Sequence, residues 1–169
     1  MRMSQCSAAI CLAQLEIIRS QVINRDLMIR TIYDQIAKIP GIKPLPLPDY
    51  METYSCWMAG FSLEDGAFKC TAEEFAHQMD EKGITGTGLG KYYLMPEGAA
   101  FLQYQAENQI YPFSIPPASR RYTYSADQCP NAAGLLDHFV RWIISERYEP
   151  HHCDRIAEVV RQIAEQNRA

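Results

Sequence analysis

The 169-residue sequence lacks several features that mark common classes of protein. Its longest uninterrupted apolar run, residues 8–13, is far shorter than the roughly 20 residues that a membrane span needs. No basic segment precedes an apolar stretch, as it would in a secretory signal. The 16 basic residues are outnumbered by 20 acidic ones, so no basic excess favours nucleic acid or an anionic membrane. These absences predict a soluble, cytoplasmic protein that binds neither nucleic acid nor a membrane.

Paired cysteines are missing as well. The six cysteines are scattered without a C-x-x-C motif, and a chain of this length needs no disulfide framework to support its core. We therefore expect free thiols, most of them buried.

Motifs for hydrolytic or phosphate chemistry are absent or incomplete. No G-x-S-x-G sequence occurs, and neither His77 nor His138 has a serine or cysteine partner arranged as in a catalytic triad. Gly86, Gly88 and Gly90 form a G-x-G-x-G pattern that no Lys-Ser or Lys-Thr completes. This pattern favours a flexible loop over a phosphate cradle.

The segment His151-His152-Cys153-Asp154 holds three kinds of metal ligand in four residues. On one helix only residues three or four apart share a face, so His151 and Asp154 point together while the other two point elsewhere. We interpret the segment as a solvated helix start, and we predict no metal site.

Residues 4–38 contain neither proline nor glycine and carry apolar side chains at helical spacing. They predict one long helix, which Pro40 and Gly41 end. The prolines of residues 42–48 favour an extended segment after it. The apolar positions of the helix that are expected to face a core are Leu15, Ile18, Val22, Ile29, Ile32 and Ile36.

The rest of the chain predicts a small sheet with flanking helices. Residues 53–61 and 139–145 are apolar and aromatic, as expected for strands that are covered on their faces. Residues 85–128 are rich in glycine and proline and predict mostly loop.

Three further helices have local start or stop signals. Thr71 and Glu74 form a capping box, which marks the start of a helix. Gly83 is placed to end the same helix. Pro130 and Pro150 stand where a first-turn proline is tolerated. The expected helices are 72–81, 130–137 and a last one after Pro150 whose core face carries Ile156, Val160 and Ile163.

Two adjacent arginines are followed by aromatic residues. Arg120 and Arg121 precede Tyr122 and Tyr124, and guanidinium groups beside aromatic rings can grip a phosphate or carboxylate next to a stacking platform. The alternative interpretation is a surface loop with ordinary solvent-facing arginines.

A series of short motifs runs in a fixed order along nearly the whole chain. The motifs are Arg2-Met3-Ser4, Ala8-Ala9-Ile10, Gln14-Leu15-Glu16, Arg25, Ile39-Pro40-Gly41-Ile42, Lys82-Gly83-Ile84, Cys129-Pro130-Asn131-Ala132 and Glu146-Arg147-Tyr148. In order and spacing they resemble the C-terminal half of the DegT-type sugar aminotransferases, which are pyridoxal phosphate (PLP) enzymes of the aspartate-aminotransferase fold.

The resemblance implies an α/β (α+β-like) small domain of that fold. Residues 1–169 would form a single domain, with a long connecting helix over 1–38. Residues 39–169 would form a small, mostly antiparallel sheet with flanking helices.

The resemblance also implies an activity: transfer of an amino group, usually from glutamate, to a keto sugar, often nucleotide-linked, or to a keto cyclitol. PLP would be bound mainly by an N-terminal domain that is missing here, so the chain alone is expected to be inactive. The complete enzyme is expected to be a homodimer. No lysine stands in the family's Schiff-base context; the lysines are Lys38, Lys43, Lys69, Lys82 and Lys91.

Candidate site residues follow from the resemblance. The family has a motif that reaches the cofactor of the neighbouring subunit, and from this motif the sequence contains Arg2. The resemblance implies that Arg2 lies at the neighbouring subunit's site. Relatives direct the loop after Gly83 towards the substrate, which implies sugar contacts from Lys91, Tyr92 and Tyr93. No histidine follows Met95-Pro96, and this departs from the commoner family pattern. Arg120 and Arg121 are further substrate candidates.

Alternative functions remain open. The chain could be a non-catalytic dimerisation or interaction module derived from the same fold, pairing through its long helix. It could also be half of a family member in which histidine replaces the lysine and the enzyme dehydrates its sugar. Truncated product, fragment and separate subunit are equally compatible with the sequence.

Overall fold

The computed structural model describes residues 3–87, 94–98, 100–117 and 122–169. The Lys91–Tyr93 segment and Arg2, Arg120 and Arg121 therefore lie outside the described residues. The helices are α1 (Gln5–Ile36), α2 (Ala72–Glu81), α3 (Met95–Gly98), α4 (Ala100–Glu107), α5 (Pro130–Asp137) and α6 (Pro150–Gln166), with a 3-10 turn at Ala126–Gln128. The strands are β1 (Ile42–Pro44), β2 (Met58–Leu63) and β3 (Phe139–Ile143).

Helix α1 is 32 residues long, which corresponds to about 48 Å at a rise of ~1.5 Å per residue. Its N-cap is Ser4, whose hydroxyl accepts a hydrogen bond from the Ser7 amide at 3.1 Å. After the helix, Gly41 turns the chain with φ +87°. A Cβ at this glycine would lie 2.7 Å from Ala67 Cβ, so both conformation and space require glycine.

Only the C-terminal half of α1 is packed. Its buried residues are Met28, Ile29, Ile32, Tyr33 and Ile36. The apolar stripe continues towards the N-terminus, but there Leu15 is 63% exposed and Ile18 50% exposed. The expectation that these two residues face a core is therefore wrong for the chain by itself, because no described element reaches them.

The three strands form an antiparallel sheet in the order β1-β2-β3. In this register Ile42 lies opposite Leu63, and Phe61 lies opposite Val140. Strand β2 begins and ends later than the expected range 53–61. The backbone amide of Tyr54 instead donates to the Asp26 carboxylate of α1 at 2.8 Å. This hydrogen bond holds the chain around Tyr54, which precedes β2, against α1 and away from the sheet.

Helices α1, α2 and α6 pack with the sheet around one hydrophobic core. An aromatic group stands at its centre. The Phe61 ring lies 5.6 Å from that of Phe75 and 5.9 Å from that of Trp142, measured between ring centroids. All three side chains are fully buried, so this group joins α2 to strands β2 and β3.

The helices with local signals have the expected bounds. The capping box at Thr71 is present, with Glu74 accepting from the Thr71 amide at 2.8 Å, and α2 ends before Gly83 at φ +89°. Helices α5 and α6 begin with Pro130 and Pro150. The core face of α6 is confirmed, because Ile156, Val160 and Ile163 are buried.

One expectation is refined by the structure, and a second is wrong. The described part of residues 85–128 is mostly loop, as expected, but it also contains α3, α4 and a 3-10 turn, and the good helix formers of Ala100–Glu107 account for the longer helix. The six cysteines are free, but only Cys153 is buried. Cys6 and Cys11 are exposed because they lie on the uncovered half of α1.

Candidate functional site

The approach to the predicted sugar-contacting loop is fixed against the sheet. Gly86 has φ +79°, and a Cβ there would lie 2.8 Å from the Ile143 side chain. The buried Thr87 hydroxyl donates to the Ile84 carbonyl at 2.6 Å. The chain that enters Lys91–Tyr93 therefore leaves the turn after α2 beside the last residue of β3.

The segment between β3 and α6 is tied to the middle of α1. Arg25 Nη2 lies 2.6 Å from Glu146 Oε2, and the Asn24 side-chain amide donates to the Glu146 carbonyl at 2.8 Å. The Tyr148 hydroxyl donates to the Ile143 carbonyl at 3.1 Å. Two motifs that the sequence analysis singled out separately, Arg25 and Glu146-Arg147-Tyr148, thus meet in one interaction.

The pKa values of Glu146 and Tyr33 are both shifted. The hydrogen bond from Arg25 holds the pKa of the Glu146 carboxyl below its usual value. Burial raises the pKa of the Tyr33 hydroxyl to about 12, although the Gly60 amide donates to it at 3.1 Å. At neutral pH Glu146 is therefore a carboxylate and Tyr33 a neutral phenol.

The tyrosines after the predicted arginine pair do form an aromatic group. The Phe113 ring centroid lies 5.6 Å from that of Tyr122 and 6.2 Å from that of Tyr124. With Pro112 and Pro117 these rings border a cavity of about 290 Å³. The sequence analysis found Tyr122 and Tyr124 but missed Phe113, whose signal was its position among closely spaced prolines and aromatic residues.

The histidine-rich helix start is not arranged for a metal. His152 Nδ1 accepts from the Glu149 amide at 3.0 Å, and Cys153 is buried against Met28. His151 lies 3.4 Å from Glu149. Within the part of the chain that the structure describes, no cluster of three or more histidine, cysteine and acidic side chains is placed to hold a metal ion.

The two remaining histidines pair with acidic residues at the surface. His77 Nε2 lies 3.5 Å from Glu81 Oε1, and His138 Nε2 lies 3.0 Å from Asp65 Oδ1. Both histidines are well exposed. Neither contact includes a nucleophile, and the structure gives them no catalytic arrangement.

The described lysines do not form a site that fits PLP. Lys69 borders a cavity of about 320 Å³ whose carboxylates, among them Asp65 and Asp137, repel a phosphate group. Lys38 borders a cavity of about 170 Å³, which is below the ~300–1,000 Å³ typical of small-ligand pockets. Neither of these two cavities therefore offers a fitting place for PLP.

The sequence matches the DegT/DnrJ/EryC1/StrS aminotransferase family over residues 1–161. The chain belongs to this family, so the resemblance of its motifs is confirmed. No curated relative matches the chain significantly.

Several solved structures share the fold. A 3-amino-5-hydroxybenzoic acid synthase matches 98% of this chain at a TM-score of 0.69 and 18% identity. The sugar aminotransferase Spr1654 from Streptococcus pneumoniae has been solved in apo, PLP and PMP forms. Its PMP form matches 98% of this chain at a TM-score of 0.69 and 16% identity. A DegT DnrJ EryC1 StrS aminotransferase from Brucella abortus matches 95% of this chain at a TM-score of 0.60 and 18% identity.

These structures confirm the predicted fold class, an α/β aminotransferase fold with a long N-terminal helix, a small antiparallel sheet and flanking helices. The chain spans only 40% of the synthase and 36% of each of the other two proteins. The whole enzyme's activity is therefore a matter for proposal.

Proposed function

We propose that this chain supplies the small domain of a PLP-dependent enzyme that transfers an amino group, usually from glutamate, to a keto sugar or keto cyclitol. The observation that carries the proposal is the match to the aminotransferase family over residues 1–161. The family and the sugar aminotransferase Spr1654 among the solved structures support the substrate class. A homodimeric, cytoplasmic enzyme is part of the same proposal.

In this enzyme the cofactor would be held outside the described residues. The cavities that border Lys38 and Lys69 fit PLP poorly, one by size and the other by charge. This domain would instead position the loop that contains Lys91–Tyr93 and the aromatic group around Phe113 beside the substrate. Its contribution is then binding and orientation, with the group transfer carried out on the cofactor domain.

The exposed half of α1 indicates that another domain covers it in the complete enzyme. Ile10, Leu12, Leu15, Ile17 and Ile18 are each at least 43% exposed, and together they form a broad apolar face on this half of the helix. A broad apolar face of this kind is normally covered by another part of the protein or by a membrane. We assign the covering surface to the cofactor domain of the complete enzyme, whether that domain lies on the same chain or on another.

By length and composition alone, α1 would also suffice to cross a bilayer. The same composition is found in the core helix of a soluble protein. The apolar window itself is uncovered in this structure, but the same helix continues into a C-terminal half with five residues buried in the protein core. We therefore propose protein rather than lipid as its environment. Recovery of the expressed chain in the soluble fraction without detergent would support this assignment, whereas strict partitioning into membranes would contradict it.

The first test is intact mass after incubation with PLP and borohydride, which converts a lysine aldimine into a permanent adduct. We expect no stoichiometric adduct at any single lysine of the isolated chain. One adduct at one lysine would show that the chain carries its own Schiff-base residue, and the proposed division between the domains would then be wrong.

The second test supplies the rest of the enzyme. The chain is coexpressed with the polypeptide encoded directly upstream, and glutamate-dependent amination of keto sugars is followed by mass spectrometry. We expect the double variant Leu15→Glu/Ile18→Glu to lose both complex formation and activity, while Ser20→Glu, a polar change on the same exposed half of α1, keeps them. Equal behaviour of the two variants would contradict docking through α1.

The exposed helix also favours a second candidate, a non-catalytic interaction module that pairs through α1. A stable homodimer of the isolated chain, abolished by Leu15→Glu/Ile18→Glu, together with no activity in the coexpressed pair, would establish the module instead. Aggregation of the isolated chain that is relieved by the same double variant would favour the separated enzyme domain.

A further inference from the structure

An aromatic cleft opens on the part of the domain that follows α4. Three rings converge here: the Phe113 plane makes an angle of 54° with that of Tyr122 and 70° with that of Tyr124. Pro112 and Pro117 complete the lining. The rings are inclined to one another and do not stack face to face, so they leave a space of about 290 Å³ between them.

The cleft lies at the surface among other exposed apolar residues. Tyr111 is 67% exposed, and Ile115 is 48% exposed. Exposed apolar side chains that flank a cleft are typical of a binding site. An aromatic group that served only to hold the loop together would instead turn its rings towards the hydrophobic core, and none of the lining residues belongs to the buried core cluster.

The lining determines what fits. None of the described residues that border the cleft carries a charge. Aromatic faces attract the flat face of another ring, and the tyrosine side chains place hydroxyl groups beside it. The volume lies at the lower limit of small-ligand pockets, which suits one ring of a ligand and not a whole nucleotide-linked sugar.

We propose that the cleft formed by Phe113, Tyr122 and Tyr124 binds one flat ring of a small ligand by stacking. A nucleobase and a pyranose both offer such a face. The inference rests on the proposed function, which it deepens by giving one part of the sugar substrate a position on this domain. Binding here would anchor a portion of the ligand remote from the reacting carbon.

Binding is measured on the isolated full chain by saturation-transfer NMR, with uridine and methyl α-glucopyranoside as separate probes. Saturation of the uracil protons with none for the glucoside assigns the cleft to a nucleobase. The opposite result assigns it to the sugar ring. Absence of saturation transfer to both probes at millimolar concentration overturns the proposal.

Variants locate the site. Stacking on an aromatic side chain is worth about 1–3 kcal/mol per base, so Tyr124→Ala is expected to weaken binding about tenfold. Tyr124→Phe keeps the ring and should retain most of the affinity. Tyr50→Ala removes an equally large ring that is 84% exposed and outside the cleft, and it should leave binding unchanged.

Equal losses in Tyr124→Ala and Tyr50→Ala, or a loss in Tyr124→Phe as large as in Tyr124→Ala, would contradict stacking in this cleft. Far-ultraviolet circular dichroism checks that each variant is folded. The assay needs neither cofactor nor activity, so failure of the proposed transamination would leave its result intact. Conversely, an active complex whose chain binds no ring probe would overturn this inference alone.

Discussion

Arg25, in the middle of α1, donates a hydrogen bond of 2.6 Å to Glu146, which follows β3 by three residues. The two residues are 121 positions apart, and both are only partly exposed. Asn24, the neighbour of Arg25, binds the Glu146 backbone carbonyl as well. Together these hydrogen bonds hold the segment between β3 and α6 against the middle of α1.

Arg25→Met should therefore destabilise the fold, and the effect should depend on pH. The pKa of Glu146 is lowered in the folded state, so its pairing stabilises the protein above the unfolded pKa of about 4.3. That contribution is lost as the pH falls through the folded pKa. Urea unfolding of both proteins should show a difference in free energy at pH 7 that shrinks at pH 3.

Arg161→Met is the matched control, because Arg161 pairs with Glu158 three residues away on the exposed face of α6. Such surface pairs contribute about 0–1 kcal/mol. A control as destabilised as Arg25→Met, or a difference for Arg25→Met that does not change with pH, would contradict a specific role for the Arg25 and Glu146 pair.

Gly86→Ala should be more harmful than Gly66→Ala. Both glycines have positive φ, +79° and +71°, so both substitutions introduce similar backbone strain. Only at Gly86 would the new Cβ also meet a neighbour, Ile143, at 2.8 Å, whereas nothing lies within 4 Å at Gly66. We expect an additional loss of about 1–3 kcal/mol at Gly86, measured by urea unfolding.

The double variant Gly86→Ala/Ile143→Ala tests the cause of that loss. Removing the Ile143 branches should recover part of it, and the recovery appears as a coupling energy in the double-mutant cycle. Strict additivity of the two substitutions would mean that the contact between residue 86 and Ile143 is not responsible.

The starts of α2, α5 and α6 were predicted from local signals. Thr71 and Glu74 define the start of α2 through a capping box, and Pro130 and Pro150 mark the first turns of α5 and α6. These signals act within one turn of chain, so no tertiary contact is needed to recognise them.

The boundary of β2 and the exposure of α1 depend on distant contacts. The segment before Met58 leaves the sheet because Asp26, far along the chain, accepts from the Tyr54 amide. Leu15 and Ile18 continue the periodicity of Ile29, but periodicity cannot tell whether anything covers a stripe. The sequence therefore predicts the helix and not its surroundings.

The candidate site was only partly predictable for the same reason. Tyr122 and Tyr124 stood out because they follow two arginines, whereas Phe113 joins them only through the path of the loop. Similarly, Arg25 and Glu146 were recognised as separate motifs, and their contact is visible only in three dimensions.

His152→Ala should weaken the start of α6, and His151→Ala should not. His152 Nδ1 accepts the Glu149 amide at 3.0 Å, and its ring stacks on Tyr148 at 5.5 Å. Loss of a cap interaction of this kind costs about 0.5–2 kcal/mol. Hydrogen exchange of the first amides of α6 should speed up in His152→Ala alone; similar exchange in both variants would contradict the capping role.

Tyr33→Phe should destabilise the protein at neutral pH and remove part of its sensitivity to alkali. The Tyr33 hydroxyl accepts the buried Gly60 amide at 3.1 Å, and an unsatisfied buried donor costs about 1–3 kcal/mol. Burial raises the pKa of Tyr33 to about 12, above the unfolded value of 10.0. Its neutral form thus stabilises the fold below pH 10, and this contribution is lost as the pH rises from 10 to 12.

Urea unfolding between pH 8 and pH 12 follows both effects. The free energy of unfolding of the wild-type chain should fall more steeply above pH 10 than that of Tyr33→Phe, so the two curves should converge. Tyr50→Phe changes a tyrosine that is 84% exposed and should follow the wild-type curve throughout. Parallel curves for the wild type and Tyr33→Phe would mean that the buried hydroxyl does not resist ionisation, and that the Gly60 amide and not burial dominates its environment.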